Sequence, residues 1–297
     1  MESLSIEDST FQLPSDFFLP RHQFESSLKA IVASAVIIGI SHLVILYILT
    51  SRNKTKSKSN QRSSDQVFKA SYQIAHLLVN LYFGIYAFYI CFIKQHSDDV
   101  FYGNVFDKNT YRHIFGYEQY CLFGAVQVGY NLWSLPVGLL FAKEPPPMIA
   151  HHISVIIICS LTATSHFGYR LHAPFLLGMF EISSVPLSVS NFIKDHDDHL
   201  KKSTFLQELN VQMKTTFAIL FLGIRIIIGT PHVYHTIRGA YISMTIEGCG
   251  MNIVLRGWMF MVLVGQVVLF LLQLYWAKLI VKGLIKIFSK KGPEKKA

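Results

Sequence analysis

Glu181 lies in the apolar run from Leu171 to Ile193 and is the one acidic residue deep inside any long hydrophobic segment of this chain. A carboxylate at the bilayer centre costs roughly 2.5–3.5 kcal/mol even on lenient insertion scales, so it normally faces a partner or a wet cavity. At 100° per residue, Ser184, Ser188 and Asn191 fall within about 80° of Glu181 on one helical stripe. A polar stripe inside a membrane needs other polar stripes to face, and one begins at His151-His152. A histidine that meets a carboxylate in a cavity can be oriented by it or exchange a proton with it.

The remaining stripes supply further candidates. Gln73, His76 and Asn80 share one face of an apolar segment, and Gln127, Asn131 and Ser134 share one face of the next. His151 shares its face with Ser154, Thr162 and Ser165, whereas His152 lies 100° round with Cys159 and His166. His151 is therefore favoured as the cavity-facing histidine, with His152 acting more through packing. Arg225 stands alone in its segment, and Gln266 and Gln273 are seven apart in the last. Arg225 and Glu181, at similar depth on neighbouring spans, form an expected pair that also serves as glue between helices. The candidate catalytic residues are His151, His152 and Glu181. The candidate cavity residues are His76, Asn80, Asn131, Ser184, Asn191, Arg225 and Gln273.

Segments long enough to cross the hydrocarbon must position these residues. The 297 residues are 51% hydrophobic and only 15% charged, with a mean hydropathy of +0.36, which fits a polytopic membrane protein. Seven spans are predicted, over residues 28–50, 67–93, 118–142, 148–166, 171–193, 214–230 and 257–282. Pro231 and His232 interrupt the sixth, so 231–256 reads as a lumenal loop or a partly inserted helix. The fold class is an all-α bundle around a polar-lined central cavity. Residues 1–27 form a lumenal tail, 28–65 the first span with a basic loop, 66–285 a six-helix membrane domain, and 286–297 a basic tail.

Basic residues orient the bundle. Five lie in the 51–66 loop, three in 194–213 and five after residue 282, which with Lys143 makes fourteen on one side against seven on the other. That bias places the 51–66 loop and the C-terminus in the cytosol. The net charge of +9 is thereby explained by membrane orientation, and no nucleic-acid partner is expected. The four cysteines are scattered without metal-ligand spacing, so neither a disulfide framework nor a metal site is expected, and no resident cofactor is.

In order and spacing the chain resembles the TLC-domain family, which includes ceramide synthases and the translocation-associated TRAM proteins. The resemblance covers roughly residues 66–285. It rests on Ser71 and His76, Gly129-Tyr130, His151-His152, the run Phe180 to Pro186 with Asn191, Arg225, and Gln273-Leu274-Tyr275-Trp276. Ceramide synthases resemble one another in a His-Asp-x-x-Asp run after the paired histidines; here that stretch reads Glu181-Ile182-Ser183-Ser184. The aspartate usual after Gly-Tyr in the third span is also missing, with Asn131 and Ser134 the nearest polar residues. The resemblance thus points to the subgroup outside the ceramide synthases, linked to membrane lipid composition and to the endoplasmic reticulum or a connected membrane. The expected function is lipid binding that influences lipid homeostasis, with membrane lipids as partners. The alternative is an acyltransferase that takes acyl-CoA as co-substrate and uses a cavity histidine as nucleophile or base. A transporter is disfavoured because no internal repeat is visible.

Overall fold

The computed structural model describes residues 21–55, 63–93, 121–165, 172–195, 203–245 and 253–289. Residues 1–20, most of the basic loop, residues 94–120, His166, residues 246–252 and the tail after Ser289 lie outside the described residues. The described elements are helical: α1 (Arg21–Lys54), α2 (Ser64–Phe88), α3 (Cys121–Val137), α4 (Pro146–Thr164), α5 (Phe180–Asp195), α6 (Thr204–Leu220), α7 (Gly229–Thr245) and α8 (Ile253–Ser289). Five-residue π-helical turns extend α2 and α3 and precede α5, and the π-helical segment Phe221–Ile228 joins α6 to α7. Seven of the resulting continuous helices are long and apolar enough to cross a membrane. The chain is an integral, multi-pass membrane protein built as an all-α bundle.

The sixth span corrects the sequence reading at both ends. The helix begins at Thr204, inside the stretch expected to be a loop, and continues through Pro231 to Thr245. Its amphipathic first turns extend along α5, where the Ser190 hydroxyl donates to the Asn210 side-chain oxygen Oδ1 at 2.7 Å. Pro231 removes an N–H but does not end the helix, because the preceding π turn offsets the carbonyl ladder. The Thr230 hydroxyl donates to the Ile226 carbonyl, which also accepts from the Gly229 amide. Pro136 likewise sits within α3 just before the π turn Gly138–Ala142. At the other end of the chain, α1 begins at Arg21, so residues 21–27 are helix and not tail.

Helices α2 to α8 close a ring. Helix α2 packs on α5, α5 on α6, α7 on α8, α8 on α4, and α4 on α3. The Tyr72 hydroxyl of α2 meets Ser134 of α3 and completes the circle. Helix α1 lies outside the ring against α2 and α3, and exposes Val32, Val36, Leu43 and Tyr47. Such a face is at home in lipid, where close packing and interhelical hydrogen bonds hold helices together in place of the hydrophobic effect. Two devices fasten α1. A Cβ on Gly129 would meet the Ser34 hydroxyl and the Ile31 carbonyl, so only glycine permits this approach of α3. His42 Nε2 donates to the Ser71 hydroxyl at 3.0 Å, and that hydroxyl donates to the Phe68 carbonyl. His42 also packs edge-on against Phe68, Tyr72 and Trp133.

Candidate functional site

The ring encloses a cavity of about 770 Å³, within the range of small-molecule sites. Its walls run from Met148 to Thr162 on α4, about 21 Å of helix rise. Lys69, Lys143, Glu144, Lys194 and Asp195 line the mouth, where α2 begins and the spans containing α3 and α5 end. Lys69 pairs with Asp195 at 2.8 Å, and Gln73 Nε2 donates to the same carboxylate at 2.7 Å. Apolar side chains including Val155, Ile158, Leu176, Leu177 and Leu269 line the walls beyond.

Just inside the mouth the polar stripes of α2, α3 and α4 converge on Glu144, a residue the sequence reading left in a loop. The π turn Gly138–Ala142 ends at Lys143, whose φ of 55° and ψ of 51° place it in the left-handed region. That residue turns the chain so that the Glu144 amide donates to the Gly138 carbonyl at 3.0 Å and its carboxylate points inward. Gly138 makes the room: a Cβ there would come within 2.7 Å of the Glu144 carboxylate. The Tyr72 hydroxyl donates to Glu144 Oε1 at 3.0 Å, and His152 Nε2 lies 3.1 Å from Oε2. Asn131 Nδ2 donates to the Gln127 carbonyl at 2.7 Å, so its oxygen faces His152 and accepts from Nδ1, also at 2.7 Å. The imidazole is therefore a donor at Nδ1, and a proton lies between Nε2 and the carboxylate. His76 bonds Tyr130 through Nδ1 and Ser134 through Nε2, the latter at 3.2 Å. Burial is the largest single influence on Glu144 and opposes its ionisation. The His152 hydrogen bond and charge, the His76 charge and the Tyr72 hydrogen bond outweigh it and hold the carboxyl below its ordinary 4.5.

Deeper in the cavity, Arg225 on the π-helical segment reaches α5. Its Nη2 donates to the Phe180 carbonyl and the Ser184 hydroxyl, both at 2.7 Å, and its Nε to the Phe180 carbonyl and to Ser183. Phe180 and Phe221 each place a ring centroid 5.4 Å from the guanidinium carbon. Glu181 is the nearest acid, with Oε2 3.7 Å from Nη2, too far for a hydrogen bond. On the α8 wall, Gln266 Oε1 and Gln273 Oε1 are buried without a hydrogen-bond partner among the described residues, as is His151 Nδ1. His151 packs edge-on against Trp276. At the end away from the mouth, His172 and His232 meet through their Nδ1 atoms at 3.1 Å, and His232 stacks on Phe175.

The candidate residues therefore fall into two groups within one cavity. His76, Asn131 and His152 join Glu144 near the mouth, while Glu181, Ser184 and Arg225 form a separate, deeper cluster. His76 belongs with His152, whose ring centroid is 6.4 Å away, and not with the deeper Glu181 cluster. Both His151 and His152 line the cavity, but His152 holds the hydrogen-bonded position. Asn80, Asn191 and Gln273 line the cavity too, with Asn191 exposed towards the mouth. Sequence reasoning missed Glu144, Tyr72, His42 and the His172–His232 pair. The available signal for Glu144 was a lone acid between a basic residue and three prolines, just before the paired histidines. No group of three or more potential metal ligands occurs among the described residues.

A family model described as the TLC domain matches residues 69–282, which takes in the ring from α2 to α8 and leaves α1 outside. No curated protein and no solved structure matches the chain.

Proposed function

Because the chain belongs to the TLC-domain family, we propose that it seats one long-chain lipid in its central cavity and thereby influences membrane lipid composition. The observation behind this reading is the shape of polarity in the cavity. Charged and hydrogen-bonding groups crowd the mouth, and a largely apolar channel runs about 15 Å beyond them, from His152 to Thr162. An amphipathic chain fits that gradient with its head against Glu144, His152 and the mouth lysines. Native mass spectrometry on the purified full chain tests it, with about one lipid per protein expected. Leu177→Trp, which fills the channel, should cut occupancy by up to about tenfold. A lipid-free wild type, or a variant that keeps full occupancy with unchanged helicity, would count against the cavity as the lipid site.

One observation favours a second reading, an acyl-CoA-dependent acyltransferase. His152 is clamped between Asn131 and a carboxylate, while the neighbouring His151 Nδ1 is unpartnered. Lys143 and Lys194 at the mouth have no carboxylate within ion-pair distance among the described residues, which suits the phosphates of a CoA ester. In this reading an acceptor amine or hydroxyl loses its proton to His151, attacks the thioester carbonyl, and the thiolate leaves and takes up that proton. His152 would be the positioning partner. Turnover of long-chain acyl-CoA with a sphingoid or lysophospholipid acceptor, abolished by His151→Ala in a folded protein, would favour transfer over binding alone.

Both readings place the mouth in the cytosol, following the basic residues. Asn53-Lys54-Thr55 is a glycosylation sequon at the end of α1. It should remain unmodified when the protein is made in membranes that glycosylate; a glycan on Asn53 would reverse the orientation.

A further inference from the structure

Below the mouth cluster the cavity holds an intramembrane ion pair whose hydrogen-bonding capacity is only partly used. Arg225 is 7% exposed. It spends Nε and Nη2 on the Phe180 carbonyl, Ser183 and Ser184, and its Nη1 has no hydrogen-bond partner among the described residues. The Glu181 carboxylate accepts no hydrogen bond from the described residues; its ion-pair contact among them is Arg225 Nη2 at 3.7 Å. Helix α8, which packs on the π-helical segment carrying Arg225, contributes Gln266, whose Oε1 is buried and unpartnered. All three residues line the cavity. Buried polar groups in native proteins are nearly always hydrogen-bonded, and leaving one without a partner is costly.

We propose that Glu181, Arg225 and Gln266 form a second polar subsite, which selects lipids bearing a hydroxyl partway along the chain. The vacant positions are the two N–H donors of Arg225 Nη1 and acceptors on Glu181 and Gln266. A ligand group that both accepts and donates answers them. The arginine and the glutamate already cancel in charge, so a charged ligand group here would be uncompensated in a low-dielectric site. A hydroxyl is neutral and has both capacities. Its depth follows from α2. His76 marks the mouth cluster, and Gly84 packs against Ile182, next to Glu181. Those eight residues rise about 12 Å, which places the hydroxyl near mid-chain for a long lipid whose head is at the mouth.

This inference rests on the cavity being a lipid site, and the experiment separates the two. The full chain in neutral detergent is tested by equilibrium competition against radiolabelled stearate. The competitors are stearate, a hydroxystearate with its hydroxyl at mid-chain, and one with its hydroxyl at the chain end. The mid-chain isomer is expected to bind about tenfold more tightly than stearate, the value of satisfying one buried orphan. The chain-end isomer should show no such gain. Gln266→Leu should reduce the ratio of mid-chain hydroxystearate to stearate affinity several-fold, a ratio that a general loss of stability does not move. Equal binding of all three overturns the subsite and leaves the lipid site standing, with water as the natural occupant. A gain that is independent of hydroxyl position, or a ratio unchanged in Gln266→Leu, overturns it as well. Failure of every competitor, with no stearate bound, overturns the lipid site and the subsite with it.

Discussion

Replacing Arg225 with methionine is expected to destabilise the protein by about 3–5 kcal/mol, the cost of leaving one member of a buried charge pair alone. The loss has two parts. The Phe180 carbonyl, Ser183 and Ser184 lose their donor at the junction of α5 with the π-helical segment. Glu181 is left as an unpaired carboxylate within the membrane. Glu181→Gln should cost distinctly less, because Glu181 lies 3.7 Å from the guanidinium while the carbonyl and hydroxyl bonds are 2.7–3.1 Å. The double replacement should recover only the part due to the stranded carboxylate. Thermal unfolding in detergent across the four proteins forms a double-mutant cycle. Equal losses in the two single variants with near-complete recovery in the double would mean that the ion pair dominates and the serine and carbonyl bonds do not. Strictly additive losses would mean that the two residues are not coupled.

Glu144→Gln is expected to be the most damaging change at the cavity mouth. The carboxylate takes hydrogen bonds from Tyr72 and His152 together, and a bond to a charged group contributes about 1.5–3 kcal/mol. Its neutral replacement keeps the volume but presents an amide where His152 needs an acceptor, so lipid occupancy should fall along with stability. The pH dependence is specific. Because the Glu144 carboxyl is held below its ordinary 4.5, its contribution is fully present above that value and is lost as pH falls through the lower folded value. The gap in unfolding temperature between wild type and Glu144→Gln should therefore be constant above pH 4.5 and close below it. A gap that persists unchanged into acid would show that Glu144 acts through packing and not through its charge.

Glu144 also bears on how the cavity histidines are held. Asn131 and Ser134 are polar residues of α3 that face them. In the fold, Asn131 orients His152 and Ser134 bonds His76, while the Glu144 carboxylate reaches His152 from outside the spans. No inspection of helical faces could have found this, because the partner is not on a helix.

The sequence by itself determined the class and most of the walls. A lipid bilayer leaves backbone polar groups no partner outside the chain, so seven long apolar runs can only be helices. A side chain's face on a helix follows from its spacing, which is why Gln73, His76 and Asn80, or Glu181, Ser184 and Ser188, appear on cavity walls where their periodicity puts them. Spacing within a helix carries no information about which neighbours it meets or how far it slides along them. Tertiary packing alone decided that His76 sits with His152 and not with Glu181, and that Arg225 spends its bonds on a carbonyl and two serines before its carboxylate. The same holds for backbone departures from the regular α-helix. The π turns beside Pro136 and Pro231 within continuous helices, and the left-handed Lys143 that turns Glu144 inward, depend on which carbonyls find partners once the helices are packed. Those partners come from residues distant in the chain, and only the assembled bundle brings them within hydrogen-bonding reach.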